Sequence, residues 1–286
     1  MTRMDLQILK FFLIFSYLHS TKGIQSGDIV LQNDARFIAS IRLRSLEQQT
    51  IGIGFLCTAS LINDRHAITA ATCVTNFFAS QLQIILGVEN ISSRNSRAVI
   101  RDIQRMHFHP NFNRTSESSE LNGNVAVLQL SISIRQSPSR WSILQYSSIM
   151  NFHVQPIKIS DFILNSSSIC QFFSWSNDPT SCKRIPDLLG TSLAIVKSDE
   201  CLNSDSIFCA HRLNDLNPIL CGNLGGAFLC GNTLYGIATR NVCNEIGHFV
   251  LLPYYKQWIL AVSKSNILTT QNAYGIVLIS IAILLL

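Results

Sequence analysis

Nine cysteines, at positions 57, 73, 170, 182, 201, 209, 221, 230 and 243, follow an apolar leader, and this restricts the chain more than any other feature. Residues 1–23 hold Arg3, a mostly apolar run from Ile8 to Leu18, and small residues at Ser20, Thr21 and Gly23. That is the layout of a secretory signal peptide, too short to cross a bilayer comfortably; a buried N-terminal helix is the competing reading. A secreted chain with this many cysteines is expected to hold most of them as disulfides. None of the cysteines form a C-x-x-C pair, which argues against structural zinc. Three sequons, at Asn90-Ile91-Ser92, Asn113-Arg114-Thr115 and Asn165-Ser166-Ser167, fit the same route and mark candidate glycosylation sites.

Short, often β-branched apolar segments fill the rest: Phe37–Leu43, Ala67–Ala71, Leu82–Val88, Val125–Leu130, Thr191–Val196 and Leu234–Thr239. Many short strands with turns between them predict an all-β sandwich or barrel. A helical period is expected only at Tyr254–Ser263, and the polar stretch Ser131–Arg140 reads as a linker between two halves. The net charge of +5 is spread without a basic run, so no nucleic-acid site is expected.

Several blocks, in order, resemble the chymotrypsin-like (trypsin-family) serine proteases. Cys57-Thr-Ala-Ser-Leu-Ile-Asn63 with Thr69-Ala-Ala-Thr-Cys73 is similar to the family's C-G-G-S-L-I … T-A-A-H-C. Leu86-Gly87-Val88-Glu89-Asn90 and His109-Pro110-Asn111-Phe112-Asn113 resemble its L-G-E-x-N strand end and H-P-x-Y-N loop. Cys170-Gln-Phe-Phe-Ser-Trp175 is similar to C-x-x-x-G-W, and Trp258-Ile259 to the closing helix. Cys221-Gly-Asn-Leu-Gly-Gly-Ala-Phe-Leu-Cys230 resembles the nucleophile loop.

The resemblance implies an all-β fold of two six-stranded antiparallel β-barrels with a short C-terminal helix. The domain would span 24–262, with barrels at about 24–135 and 141–255. It implies the disulfides Cys57–Cys73, Cys170–Cys230, Cys201–Cys209 and Cys221–Cys243. Cys182 is left over, as a free thiol or as the link in a dimer.

The same resemblance shows which chemistry is gone. Hydrolysis by this family needs a serine nucleophile, a histidine base and a carboxylate that orients it. The histidine position is Thr72, whose hydroxyl cannot serve as a base at neutral pH. The carboxylate position, in Asn122-Gly-Asn124-Val-Ala-Val-Leu-Gln-Leu130, is Asn124, which has no charge. In Gly222-Asn223-Leu224-Gly225-Gly226 the serine position is Leu224, which has no nucleophilic atom. None of the catalytic triad is intact.

Binding features depart as well. The aspartate that receives an activated N-terminus is replaced by Asn223, and Asp28 precedes Ile29-Val30, so no tryptic cut is marked there. The base of the specificity pocket is Ile219, and the substrate-pairing strand reads Thr239-Arg240-Asn241. The nucleophile loop is one residue short, which bears on its oxyanion donors. His66, on a family tryptophan position, is about 20 Å along the strand from Thr72. His107 and His109 could share a strand face, but His109 belongs to the H-P loop. No metal and no cofactor is expected.

At the C-terminus, residues 263–286 pair a polar spacer with an apolar run from Ile276 to Leu286. This is the layout of a glycosylphosphatidylinositol-anchor signal. A short tail-anchoring helix and an extension buried on the barrel are the alternatives. The expected function is a non-catalytic binding or regulatory protein outside the cell, tethered to its surface. Its partner would be a protease, an inhibitor or a receptor. The competing functions are a hydrolase with a rearranged site and a structural or adhesive surface glycoprotein.

Overall fold

In the computed structural model the described residues are 28–30, 34–93, 98–113, 122–136, 154–165, 167–178, 181–196, 204–213, 222–239 and 246–264. Side chains alternate across a strand, so a strand bounding a packed interior needs one apolar face. Strands β2 (Ile38–Leu43), β3 (Phe55–Asn63), β4 (His66–Thr69), β5 (Leu82–Leu86) and β7 (Ala126–Leu130) meet this condition, and β6 (Val99–Phe108) meets it except at buried Arg101. They close into a barrel in the order β2-β3-β4-β7-β6-β5.

The second barrel uses β9 (Ile169–Ser174), β10 (Leu189–Ile195), β11 (Ile207–Arg212), β12 (Ala227–Cys230), β13 (Thr233–Ala238) and β14 (Ile246–Leu251). These run β10-β11-β14-β13-β12-β9, and the β9–β10 pairing closes the ring. Two short strands join it from outside: β1 (Asp28–Ile29) on β10 and β8 (Lys158–Ile159) parallel to β13. A helix at 252–264 ends the described chain. Aromatic packing fills this barrel, with Phe208 against Phe228, Tyr235 and Phe249 at centroid distances of 4.9, 5.0 and 5.2 Å. Such pairs each add about 1 kcal/mol beyond the area they bury.

Two boundary expectations need correction. The expected bounds put the N-terminal segment in the first barrel, yet β1 pairs with β10 of the second, Asp28 opposite Gly190 and Ile29 opposite Leu189. The stretch read as a linker from 131 is tied to the first barrel as far as it is described. Ser131 N–H donates to Asp102 O and Ile134 N–H to Asp64 O. Buried Arg101 donates to the carbonyls of Ser133, Ile134 and Gln136. Even Gln155 and Ile157 donate to Arg36 O and Leu61 O of that barrel. As far as it is described, the chain stays bonded to the first barrel up to Ile157 and joins the second at β8. The remainder of the expected linker lies outside the described residues.

The barrels share a bonded seam. Thr58 N–H donates to Leu224 O at 3.1 Å, Leu188 N–H to Glu89 O at 2.8 Å, and Ile91 N–H to Pro186 O at 2.9 Å. Fully buried Trp175 adds its indole N–H to Glu89 O at 3.0 Å. Within the first barrel, Arg42 and Glu47 form a buried ion pair, and Arg42 also donates to Ile91 O. The Cys57–Cys73 and Cys170–Cys230 disulfides are formed. Cys209 is disulfide-bonded, while Cys201 and the Cys221–Cys243 pair lie outside the described residues.

Candidate active-site cleft

Thr72 stands on a single helical turn, Ala71–Val74, that follows β4. The adjacent Cys73 locks this turn to Cys57 of β3. Asn124 enters from the turn before β7, where Gly123 has φ +68° and its N–H is held by the Tyr255 hydroxyl at 2.9 Å. Leu224 lies in a turn between Gly222 and Gly225, both at φ +74°. A Cβ on Gly225 would overlap the Thr58 carbonyl, so only glycine lets the loop approach β3.

The structure joins Thr72 and Asn124 directly. Thr72 N–H donates to Asn124 Oδ1 at 2.9 Å, and Asn124 Nδ2 donates back to Thr72 Oγ1 at 3.2 Å. Asn124 is fully buried, and its amide also donates to Thr239 O at 3.3 Å. The neighbouring Ala238 O accepts from Gly225 N–H at 2.9 Å, which links this group to the Leu224 turn. Leu224 itself packs partly buried against the core. Asn223 is buried, and its carbonyl accepts from Gly226 N–H at 2.9 Å.

Chemically, this cluster has donors and acceptors but no base, acid or nucleophile matched to neutral pH. The Thr72–Asn124 pair is neutral and reciprocally bonded. Ile219, Arg240 and Asn241 lie outside the described residues. Thr239 is buried, with its N–H and hydroxyl both directed to His248 O. Ile29 is exposed on β1, with its backbone in the β10 pairing, so it is not seated as an inserted N-terminus.

Three histidines of the first barrel sit in settings of their own. His66 is buried, Nδ1 faces Asn63 Oδ1 at 2.9 Å, and Nε2 has no partner. Burial, with smaller contributions from His107 and Arg65, pushes its pKa down to about 4. Burial also lowers His107 and His109. His109 sits between Tyr255 and Trp258 at centroid distances of 4.7 and 4.9 Å, and so serves helix docking. Among the described residues no group of three or more His, Cys, Asp or Glu side chains could hold a metal.

Two contacts of the segment around Cys182 were not expected from sequence. A hairpin pairs Asn177 with Arg184, and Arg184 lies over the Phe55 ring at 4.3 Å. Asn177 also backs Gly222, where a Cβ would come within 2.8 Å of its amide. This hairpin carries Cys182, an exposed free thiol at φ +54°. No local motif marks it; only the positive φ, unusual for a non-glycine residue, sets it apart.

The "Trypsin" family profile matches residues 24–259, beginning five residues ahead of Ile29. A trypsin from Xenopus laevis is 27% identical over 237 residues, covering 77% of this chain and 86% of that protein. The protein named "Putative inactive serine protease 58" from Mus musculus is 25% identical over 224 residues, covering 73% and 83%. Among solved structures, human heparin binding protein superposes with a TM-score of 0.66 at 18% identity, covering 84% of this chain and 96% of that one. With the profile spanning most of its length and both barrels closed, the chain belongs to the trypsin family.

Proposed function

We propose that this trypsin-family protein has no peptidase activity and works outside the cell as a binding or regulatory protein tethered to the cell surface. The observation that carries the reading is the neutral Thr72–Asn124 pair on the base and carboxylate positions, with Leu224 on the nucleophile position. Losing the serine or the histidine of a comparable triad costs about a millionfold in turnover. The scaffold around these positions is nonetheless kept, with a bonded seam and the Cys57–Cys73 disulfide next to Thr72. Loops on a rigid β framework are suited to present a binding face.

The partner is an extracellular protein: a protease, an inhibitor or a receptor. The leader and the tail support secretion and a lipid tether. The mouse relative named as inactive is consistent with lost catalysis in this family. Crosslinking of the purified mature ectodomain to its native cell surface tests the reading. A saturable protein partner is expected, together with no labelling by a fluorophosphonate probe. Labelling by that probe, or no saturable partner, would refute it.

A further inference from the structure

Between β8 and the start of β9, Phe162, Ile163 and Ile169 are 75, 69 and 62% exposed, three large apolar side chains within eight residues. Soluble proteins rarely leave such groups uncovered together without a use for them. They flank one turn. Ser168 N–H and its hydroxyl both reach Asn165 O, at 3.4 and 2.9 Å, and Ser167 takes φ +72°. Ile169 opens β9 directly after the turn, while Leu164 packs inward and its N–H donates to the Tyr235 hydroxyl. Asn165 opens this turn, is exposed, and begins the sequon Asn165-Ser166-Ser167.

The first sequon contrasts with it. Asn90 is half-buried at the barrel seam, its Nδ2 donates to Asp187 Oδ1 at 2.7 Å, and its Oδ1 accepts from Ser92 N–H. A sugar there would have to fit against a bonded joint; Asn165 is exposed, with the exposed Phe162 and Ile163 three and two residues before it.

We infer that Asn165 carries an N-linked oligosaccharide whose inner sugars lie over Phe162, Ile163 and Ile169. The donor is a polyprenyl-pyrophosphate oligosaccharide of the secretory route. The Nδ2–C1 bond forms as the C1–O bond to pyrophosphate breaks; the pyrophosphate leaves with the electron pair and the amide loses one proton. The apolar CH faces of the inner sugars then replace water over the ring and the two aliphatic chains, and the sugar hydroxyls face solvent. The rest of the oligosaccharide keeps a second protein or a lipid surface off this face.

The test uses the full chain secreted from animal cells. Glycopeptide mapping is expected to find Asn165 occupied in most molecules. Removal of the sugar from folded protein by peptide-N-glycosidase should raise fluorescence of an apolar-surface dye about twofold or more. The same treatment of an F162S/I163S/I169S variant should give no rise. Because the sugar is removed after folding, a secretion defect in an N165Q variant cannot obscure the result. An unmodified Asn165, an unchanged dye signal in the wild type, or binding of the glycosylated protein to phosphatidylcholine vesicles that the triple variant loses would each overturn the inference. The last outcome would assign the patch to a lipid surface.

Discussion

Asn124 differs from an aspartate by an NH2 group in place of an oxygen, and that group donates to Thr72 Oγ1 and to Thr239 O. A carboxylate at this position would keep the bond from Thr72 N–H but would set an oxygen against the Thr239 carbonyl at a fully buried site. An Asn124→Asp variant is therefore expected to be destabilised by about 3 kcal/mol at pH 7, read from urea unfolding. Unchanged stability would mean that the pocket still accepts the charge of an active protease. Leu224→Ser alone is expected to stay unreactive toward a fluorophosphonate probe, because no base stands at 72 to take the serine proton. The proposed loss of catalysis rests on positions read residue by residue, each in a recognisable block. The bond between Thr72 and Asn124 was not legible in the sequence, because the two are 52 residues apart and neither neutral side chain announces the other.

Strand β4 carries an acid-sensitive element in His66. Its pKa lies at about 4, against 6.5 for an ordinary histidine, and the cause is first burial, then His107 and Arg65. A base with a depressed folded-state pKa contributes its full stability above the unfolded value; that stability is lost as pH falls from about 6.5 towards 4. The loss should reach about 3 kcal/mol by pH 4, with His107 adding in the same direction. A His66→Phe variant should flatten this slope in urea unfolding followed from pH 7 to 4; an unchanged slope would place the acid sensitivity elsewhere. The terminal helix offers a second check. Tyr255→Phe leaves the buried Gly123 N–H without its acceptor and should cost about 1–3 kcal/mol. Most first-barrel strands could be read from apolar runs, but the ten-residue β6 could not. Arg101 points inward there and satisfies its charge on carbonyls of 133–136, which breaks the apolar alternation that marks a strand.

For the molecule as a whole, order along the chain and order in space diverge at the N-terminus. The expected bounds of 24–135 put β1 with the barrel that follows it in sequence, whereas its partner β10 comes about 160 residues later. Only tertiary pairing decides this, and no periodicity within two residues could reveal it. The Cys57–Cys73 and Cys170–Cys230 bridges were legible because family blocks fix their positions. If the tail is replaced by a glycolipid, phosphatidylinositol-specific phospholipase C should release the protein from cells that display it; retention on treated cells would argue for an apolar helix instead. Both proposals treat the scaffold as a platform without catalysis. The most direct test is peptide hydrolysis by the purified mature protein, measured beside Xenopus laevis trypsin on the same lysyl and arginyl substrates. Turnover at least about a millionfold below the trypsin is predicted; cleavage that copurifies with the protein and is blocked by a serine-directed probe would contradict the account.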